Sequence, residues 1–214
     1  IPMLRKLDNV DYATFIELPG SASSLSPGVS AKEIFDDGEQ LLDACDELGL
    51  NIGAVMAVRE ARLTGEQHAV AAMRRVLEVM KDETTASIAN PQRSLGGLIG
   101  GEAKLVDATG RNDLSSSLMG AVQTDAVARA MAVLERSATM GVIVAAPTAG
   151  SAGVVPGCVL ALADHLQLDD EQVMDALYCA AAIGLNLTTS ACVAGAEGGC
   201  QAEVGSAAAM AAAA

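Results

Sequence analysis

A core filled mainly by alanine and glycine forces the elements around it to approach closely, because there are few large side chains to span a gap. That is the dominant constraint here: 41 of the 214 residues are Ala and 21 are Gly, while aromatics make up 2% and Trp is absent. Small faces of this kind let helices meet almost backbone to backbone. A hydrophobic content of 51% marks a folded chain, and the length suits one domain, or at most two small ones, around a continuous core. The 27 acidic residues outnumber the 13 basic ones, giving a formal charge of -14 that repels a phosphate backbone, so nucleic acid is not an expected partner.

Residues 1–30 are rich in Ser, Pro and Gly and read as an arm or linker. Ser30 with Glu33 forms a capping-box pattern ahead of Ile34, Leu41, Cys45 and Leu48, which recur at helical spacing up to Gly49. Asn51 opens a second helix bearing Ile52, Val55, Met56, Arg59 and Leu63, and Thr64-Gly65-Glu66-Gln67 opens a third with Val70, Met73, Leu77 and Met80. From Asn90 to Asp113 the pattern turns to Gly and turn residues. Asp113 is expected to cap a helix reaching Met140 with Leu118, Val122 and Leu134 inward, and Gly141 to end it. After an extended Val142-Ile143-Val144 run comes a helix that tolerates Pro156 only in its first turn. Asp169 with Gln172 caps the next, and the loop Gly195–Gly199 leads into a last helix from Cys200. No strand pair is evident, so the expected class is all-α: a compact multi-helix domain over 31–214 with Gly-rich loops. The apolar run from Met140 to Ala163 is interrupted by Pro147, Pro156 and several Gly, and no membrane span is expected.

Two loops can carry chemistry. Between Ser137 and Ala214 there are seven acidic residues and no Lys or Arg, so an anion bound there must be held by backbone amides, a metal or groups from elsewhere. The run Thr148-Ala149-Gly150-Ser151-Ala152-Gly153 suits an anion: Gly permits close approach, the hydroxyls add donors and the following helix offers free N–H groups. The same run also reads as a plain turn and helix cap. The second loop sets Cys200 at the start of a helix, a position suited to a nucleophile or soft-metal ligand, and equally to a small apolar residue. Cys45, Cys158 and Cys179 fall inside helical patterns and are expected to pack in the core, while Cys192 stays ambiguous. Five Cys with no CxxC spacing argue against a disulfide framework and for a reducing cytoplasm. His68 and His165 have no Ser or Cys at an activating spacing. Lys104 is the obvious charged candidate to meet an anion or act as a base, or else a solvated loop residue.

The segments Ala146–Val154 and Gly195–Ala207 resemble the two hallmark motifs of the iron-sulfur-dependent L-serine dehydratase alpha chain, and Leu98–Lys104 and the helix around Glu78-Val79-Met80 are similar as well. The resemblance spans roughly residues 31–214. It implies dehydration and deamination of L-serine to pyruvate and ammonia, through aminoacrylate, in a cytoplasmic lyase of amino-acid degradation. It also implies a four-iron four-sulfur cluster held by three Cys, of which Cys200 falls on the first. The other ligands are expected beyond residue 214, so that this stretch alone holds no intact cluster; both ends read as cut. The open iron would act as a Lewis acid on the substrate hydroxyl. Residues Thr148 to Gly153 would bind the substrate carboxylate. A beta chain or beta domain and an oligomer are the expected partners. Where the family carries Asn-Ala-Ser-Ile-Ser, this chain has Ser190-Ala191-Cys192-Val193-Ala194, a change in polar lining that bears on substrate identity. A helical scaffold or regulatory subunit without catalysis, or a dehydratase for another 3-hydroxy amino acid, are the alternatives.

Overall fold

The computed structural model describes residues 34–112 and 119–214. The expected arm, the Ser30–Glu33 capping box, Asp113 and Leu118 lie outside the described residues. Eight helices and no strand are found among the described residues, so the class is all-α. Helix α1 (Gly38–Leu48) starts at an Asp37 cap that accepts from the Gln40 N–H, later than the Ser30 pattern suggests, and ends on Gly49 at φ 64°. Helix α2 (Ile52–Thr64) has the expected Asn51 cap, bonded to the Ala54 N–H. Helix α3 (Glu66–Ala89) follows through Gly65, while the Thr64 hydroxyl turns back to the Glu60 carbonyl rather than capping it. Helix α4 (Glu102–Asn112) replaces the turn region expected there. Its first turn is held from a distance: the Ala103 N–H donates to the buried Glu135 carboxylate at 2.8 Å.

Helices α5 (Ala121–Ala138) and α6 (Val154–Leu166) are separated by the extended 142–144 run and a short 3-10 turn, Ala149–Ser151. Pro156 falls in the first turn of α6, where a missing N–H costs nothing. Helix α7 (Asp170–Ser190) opens on the expected Asp169–Gln172 capping box, with both of its bonds formed. In α8 (Gly195–Ala213) a first turn is broken at Gly199, φ 75°, before the helix continues from Cys200.

Helix α7 is the axis of the bundle, touching α2, α3, α6 and α8. One face of it, Val173, Leu177 and Ala180, packs with Leu77, Met80, Val155 and Leu160. Tyr178 and Ala182 join Phe35, Leu41, Val55 and Met56 in a second cluster, where the Arg59 guanidinium sits 5.5 Å from the Phe35 ring centre. On α5 the inward face is Thr124, Ala128, Ala132, Val133 and Glu135, whereas Leu134, expected inside, is 56% exposed and Val122 half-buried. Helix α6 approaches α5 on a different line, at Ala126 and Ala130, where its Gly153 and Gly157 meet the α5 backbone. Cys158, expected in the core, is exposed, because the buried face of α6 is carried by its neighbours Gly157 and Val159; Cys45 and Cys179 are half-buried. The 149–166 stretch passes the length and composition test for a membrane span that its Gly and Pro residues seemed to preclude, yet half of it is buried within the bundle and α6 itself has 13 residues.

Close approach is written into individual glycines. A Cβ on Gly53 would lie 2.6 Å from the Asp175 carbonyl oxygen of α7, and one on Gly157 would lie 2.8 Å from that of Ala126. Backbone cannot yield as a side-chain end can. Gly53→Ala is therefore expected to lower stability by about 1–3 kcal/mol in urea unfolding. Gly38→Ala, where a Cβ meets nothing within 4 Å, should leave the midpoint nearly unchanged.

Candidate active site

The chain reaches the first loop from α5 through the extended run Val142–Val144. Irregular backbone inside a helical bundle has no ladder to satisfy it, and Glu83 of α3 takes that role: its buried carboxyl accepts the Val144 N–H at 2.7 Å. Burial pushes this carboxyl up to about 7, against the pull of the Val144 bond and with a smaller push from Asp82. A cis Ala146–Pro147 peptide then delivers Thr148 to the start of the 3-10 turn.

Thr148 Oγ1 donates to Glu203 Oε1 at 2.7 Å and lies 3.2 Å from Ser151 Oγ. With the Thr148 proton on the carboxylate, the Ser151 hydroxyl is left to donate to Thr148, at its Oγ1 or at its carbonyl oxygen 3.5 Å away. Two glycines make room for the carboxylate. A Cβ on Gly150 would stand 2.9 Å from Glu203 Oε1, and one on Gly195 would stand 2.5 Å from Oε2. The half-buried Glu203 thus joins the turn at 148–151 to the loop at 195–199, through a bond that spans 55 positions of sequence. No Lys or Arg pairs with it among the described residues.

Of the candidate residues, Thr148, Ala149 and Gly150 face this junction, Ser151 and Ala152 are buried beneath it, and Gly153 packs on α5, where a Cβ would meet the Ala130 oxygen at 2.4 Å. Cys200 is exposed just past the Gly199 break, one turn before Glu203 and so on the same helix face. Cys192, also exposed, lies 3.1 Å from Glu197 Oε2. Among the described residues no three His, Cys, Asp or Glu side chains converge as a metal site. Lys104 stands exposed on α4, which packs on α3 and α5, whereas the 148–151 turn packs on α8. Neither Glu83 nor Glu203 stands out in sequence: Glu203 sits inside a motif already notable for its Cys, and its partner is remote.

A family model described as serine dehydratase alpha chain matches residues 47–214, including both loops. The chain belongs to this family. It is 39% identical over 183 residues to the probable L-serine dehydratase, alpha chain, of Bacillus subtilis, covering 85% of this chain and 60% of that one. The L-serine dehydratase, alpha chain, of Peptoniphilus asaccharolyticus is 33% identical, with 85% and 62% covered. The L-serine dehydratase of Mycobacterium tuberculosis is 36% identical over 200 residues, with 87% and 40% covered. The chain thus spans about 60% of the length of these two alpha chains and less of the third relative. The Thr148–Glu203 bond joins two segments that both lie inside the matched range.

The protonation of Glu83 links this loop to pH. Its carboxyl rises from an ordinary 4.5 to about 7 on folding, so the folded chain binds more protons between those values. Stability is then full below about pH 4.5, falls as pH rises toward 7 and levels above it, by about 3 kcal/mol at most. Glu83→Gln keeps an acceptor for the Val144 N–H and should flatten that slope in denaturant titrations across pH 4.5–8.

Proposed function

We propose that this chain is the alpha part of an iron-sulfur-dependent L-serine ammonia-lyase that converts L-serine to pyruvate and ammonia. The observation that carries the reading is the joining of the two motif loops by Thr148 and Glu203, one helical turn from an exposed Cys200. Cys200 is assigned as one protein ligand of a four-iron four-sulfur cluster. An exposed thiol at a helix start, with no packing to maintain, is the soft donor such a group requires. The remaining ligands are assigned to residues outside this chain. When bound, the cluster supplies an open Lewis-acidic iron that makes hydroxide a workable leaving group.

The chain's own residues then bind and orient. The Thr148–Gly153 turn is assigned to the substrate: the first N–H groups of the turn, at Ala149 and Gly150, have no acceptor within it and suit a carboxylate. Buried Ala152 and the Gly153 contact with α5 fix the turn's shape. Lys104, exposed on α4, is kept as the candidate charged group to meet an anion or move a proton. The relatives' names support serine as substrate and a beta chain or domain as partner. So do the exposed side chains of Leu95, Leu98, Leu105, Met140 and Val142, which such a partner or a second copy would cover. Five free cysteines fit a cytoplasmic location.

The test is anaerobic reconstitution of the full-length enzyme with its beta part, followed by measurement of the brown chromophore and of pyruvate released from L-serine and L-threonine. Chromophore and pyruvate from serine are expected; turnover of threonine alone would shift the assignment to another 3-hydroxy amino acid. Absence of both signals would favour a helical scaffold or regulatory subunit. Cys200→Ser should remove iron and turnover together while leaving the helical circular dichroism intact, and retention of full iron would return Cys200 to a structural role. Thr148→Val should lower kcat/KM for serine by about 0.5–3 kcal/mol in ΔΔG‡ without unfolding the protein.

A further inference from the structure

We infer that Glu203 is the counter-charge for the α-ammonium group of the substrate, and so the residue that selects an amino acid over the corresponding hydroxy acid. The inference rests on the serine-binding assignment of the Thr148 turn and adds to it the second half of the zwitterion.

Three observations carry it. First, the Glu203 carboxylate has no cationic partner among the described residues, and the stretch from Ser137 to Ala214 contains no Lys or Arg to provide one. A carboxylate left uncompensated at a binding loop attracts a cation from outside. Second, the proton order already fixed at the site leaves the two hydroxyls short of donors. Ser151 gives its proton to Thr148, and Thr148 gives its own to Glu203 at 2.7 Å. Thr148 Oγ1 and the Glu203 oxygens therefore present lone pairs, which an ammonium with three N–H groups can use and a substrate carboxylate cannot. A carboxylate brought to the Thr148 hydroxyl would face Glu203 across one hydrogen bond, and like charge disfavours that placement. The substrate carboxylate is left to the backbone N–H groups of the turn. Third, Gly150 and Gly195 keep the space around the carboxylate free of any Cβ, which would lie 2.9 and 2.5 Å from its oxygens. The carboxylate occupies the room those glycines leave, which seats it against both loops and beside the turn.

The experiment uses the full-length, cluster-loaded enzyme with Glu203→Gln, which keeps an acceptor for Thr148 and removes the charge. KM for L-serine and the inhibition constant of 3-hydroxypropanoate, the same molecule without its amine, are measured side by side. The inhibitor's binding is also measured by calorimetry, which does not depend on turnover. The expected result is a rise of about tenfold or more in KM for serine with the 3-hydroxypropanoate constants unchanged within about twofold. Unchanged serine KM overturns the inference, as does an equal loss for both ligands, which would make Glu203 a loop tie only. A fall in kcat at constant KM overturns it in favour of a proton-transfer role. If Glu203→Gln does not fold, Gly195→Ala, whose Cβ would meet Glu203 Oε2 at 2.5 Å, displaces the same carboxylate from outside the turn, and the same split between serine and 3-hydroxypropanoate decides. A wild-type enzyme that neither turns over nor binds L-serine overturns the functional assignment and this inference together. An active wild type with an indifferent Glu203→Gln overturns the inference alone.

Discussion

Backbone-to-backbone approach of helices is what the rest of this structure depends on. Where Gly53 meets the Asp175 oxygen and where Gly153 and Gly157 meet Ala130 and Ala126, no side chain separates the two chains, so neither helix can slide without a clash or a void. The consequence reaches the functional loop. Gly153 is the residue before α6, so the 3-10 turn that precedes it is fixed in place by the crossing of α5 and α6. Helix α8 packs on both α6 and the turn, and the position of Glu203 opposite Thr148 follows from that second contact. Small residues therefore do more than fill the core: they set the distance between two loops that are far apart in sequence.

A bundle of helices joined by long irregular segments must also satisfy the backbone of those segments without any sheet. Buried carboxyls do this twice. Glu83 takes the Val144 N–H ahead of the turn, and Glu135 takes the Ala103 N–H at the start of α4. Each leaves its second oxygen buried without a partner, a cost that an ionised group would feel most. For Glu83 the cost is met by holding a proton near neutrality. The loop is thus anchored by a carboxyl from a distant helix that titrates near neutrality, while the carboxylate that touches the loop, Glu203, stands half-exposed.

What was legible in the sequence is what local chemistry decides. The Asn51 cap, the Asp169–Gln172 box, the place of Pro156 and the break before Cys200 each follow from a few adjacent residues, and each is found. The family was legible too, because its motifs are long and contiguous. The start of α4 was not, since its stabilising acceptor, Glu135, lies on another helix. Nor was the inward face of α5: hydropathy favours Leu134, but the buried positions are Thr124, Ala128, Ala132, Val133 and Glu135, a face set by the helices packed around α5. Glu203 escaped for the same reason. Its neighbours in sequence direct attention to the Cys, and only the fold brings it to Thr148.

The direction of the protons at that junction has a further consequence for how the site divides its labour. A hydroxyl beside a carboxylate has its proton engaged, so on the proposed reading Thr148 and Ser151 offer the substrate acceptors where residue type alone suggests donors. The donors that remain at the turn are main-chain N–H groups, whose direction is set by the 3-10 geometry and not by rotamer choice. On the proposed assignment the Glu203 carboxylate of α8 would meet a cation and the main-chain N–H groups of the neighbouring turn an anion. A region without a single Lys or Arg would in this way address both charges of a small zwitterion, the glycines at 150 and 195 making the room that the Glu203 carboxylate occupies.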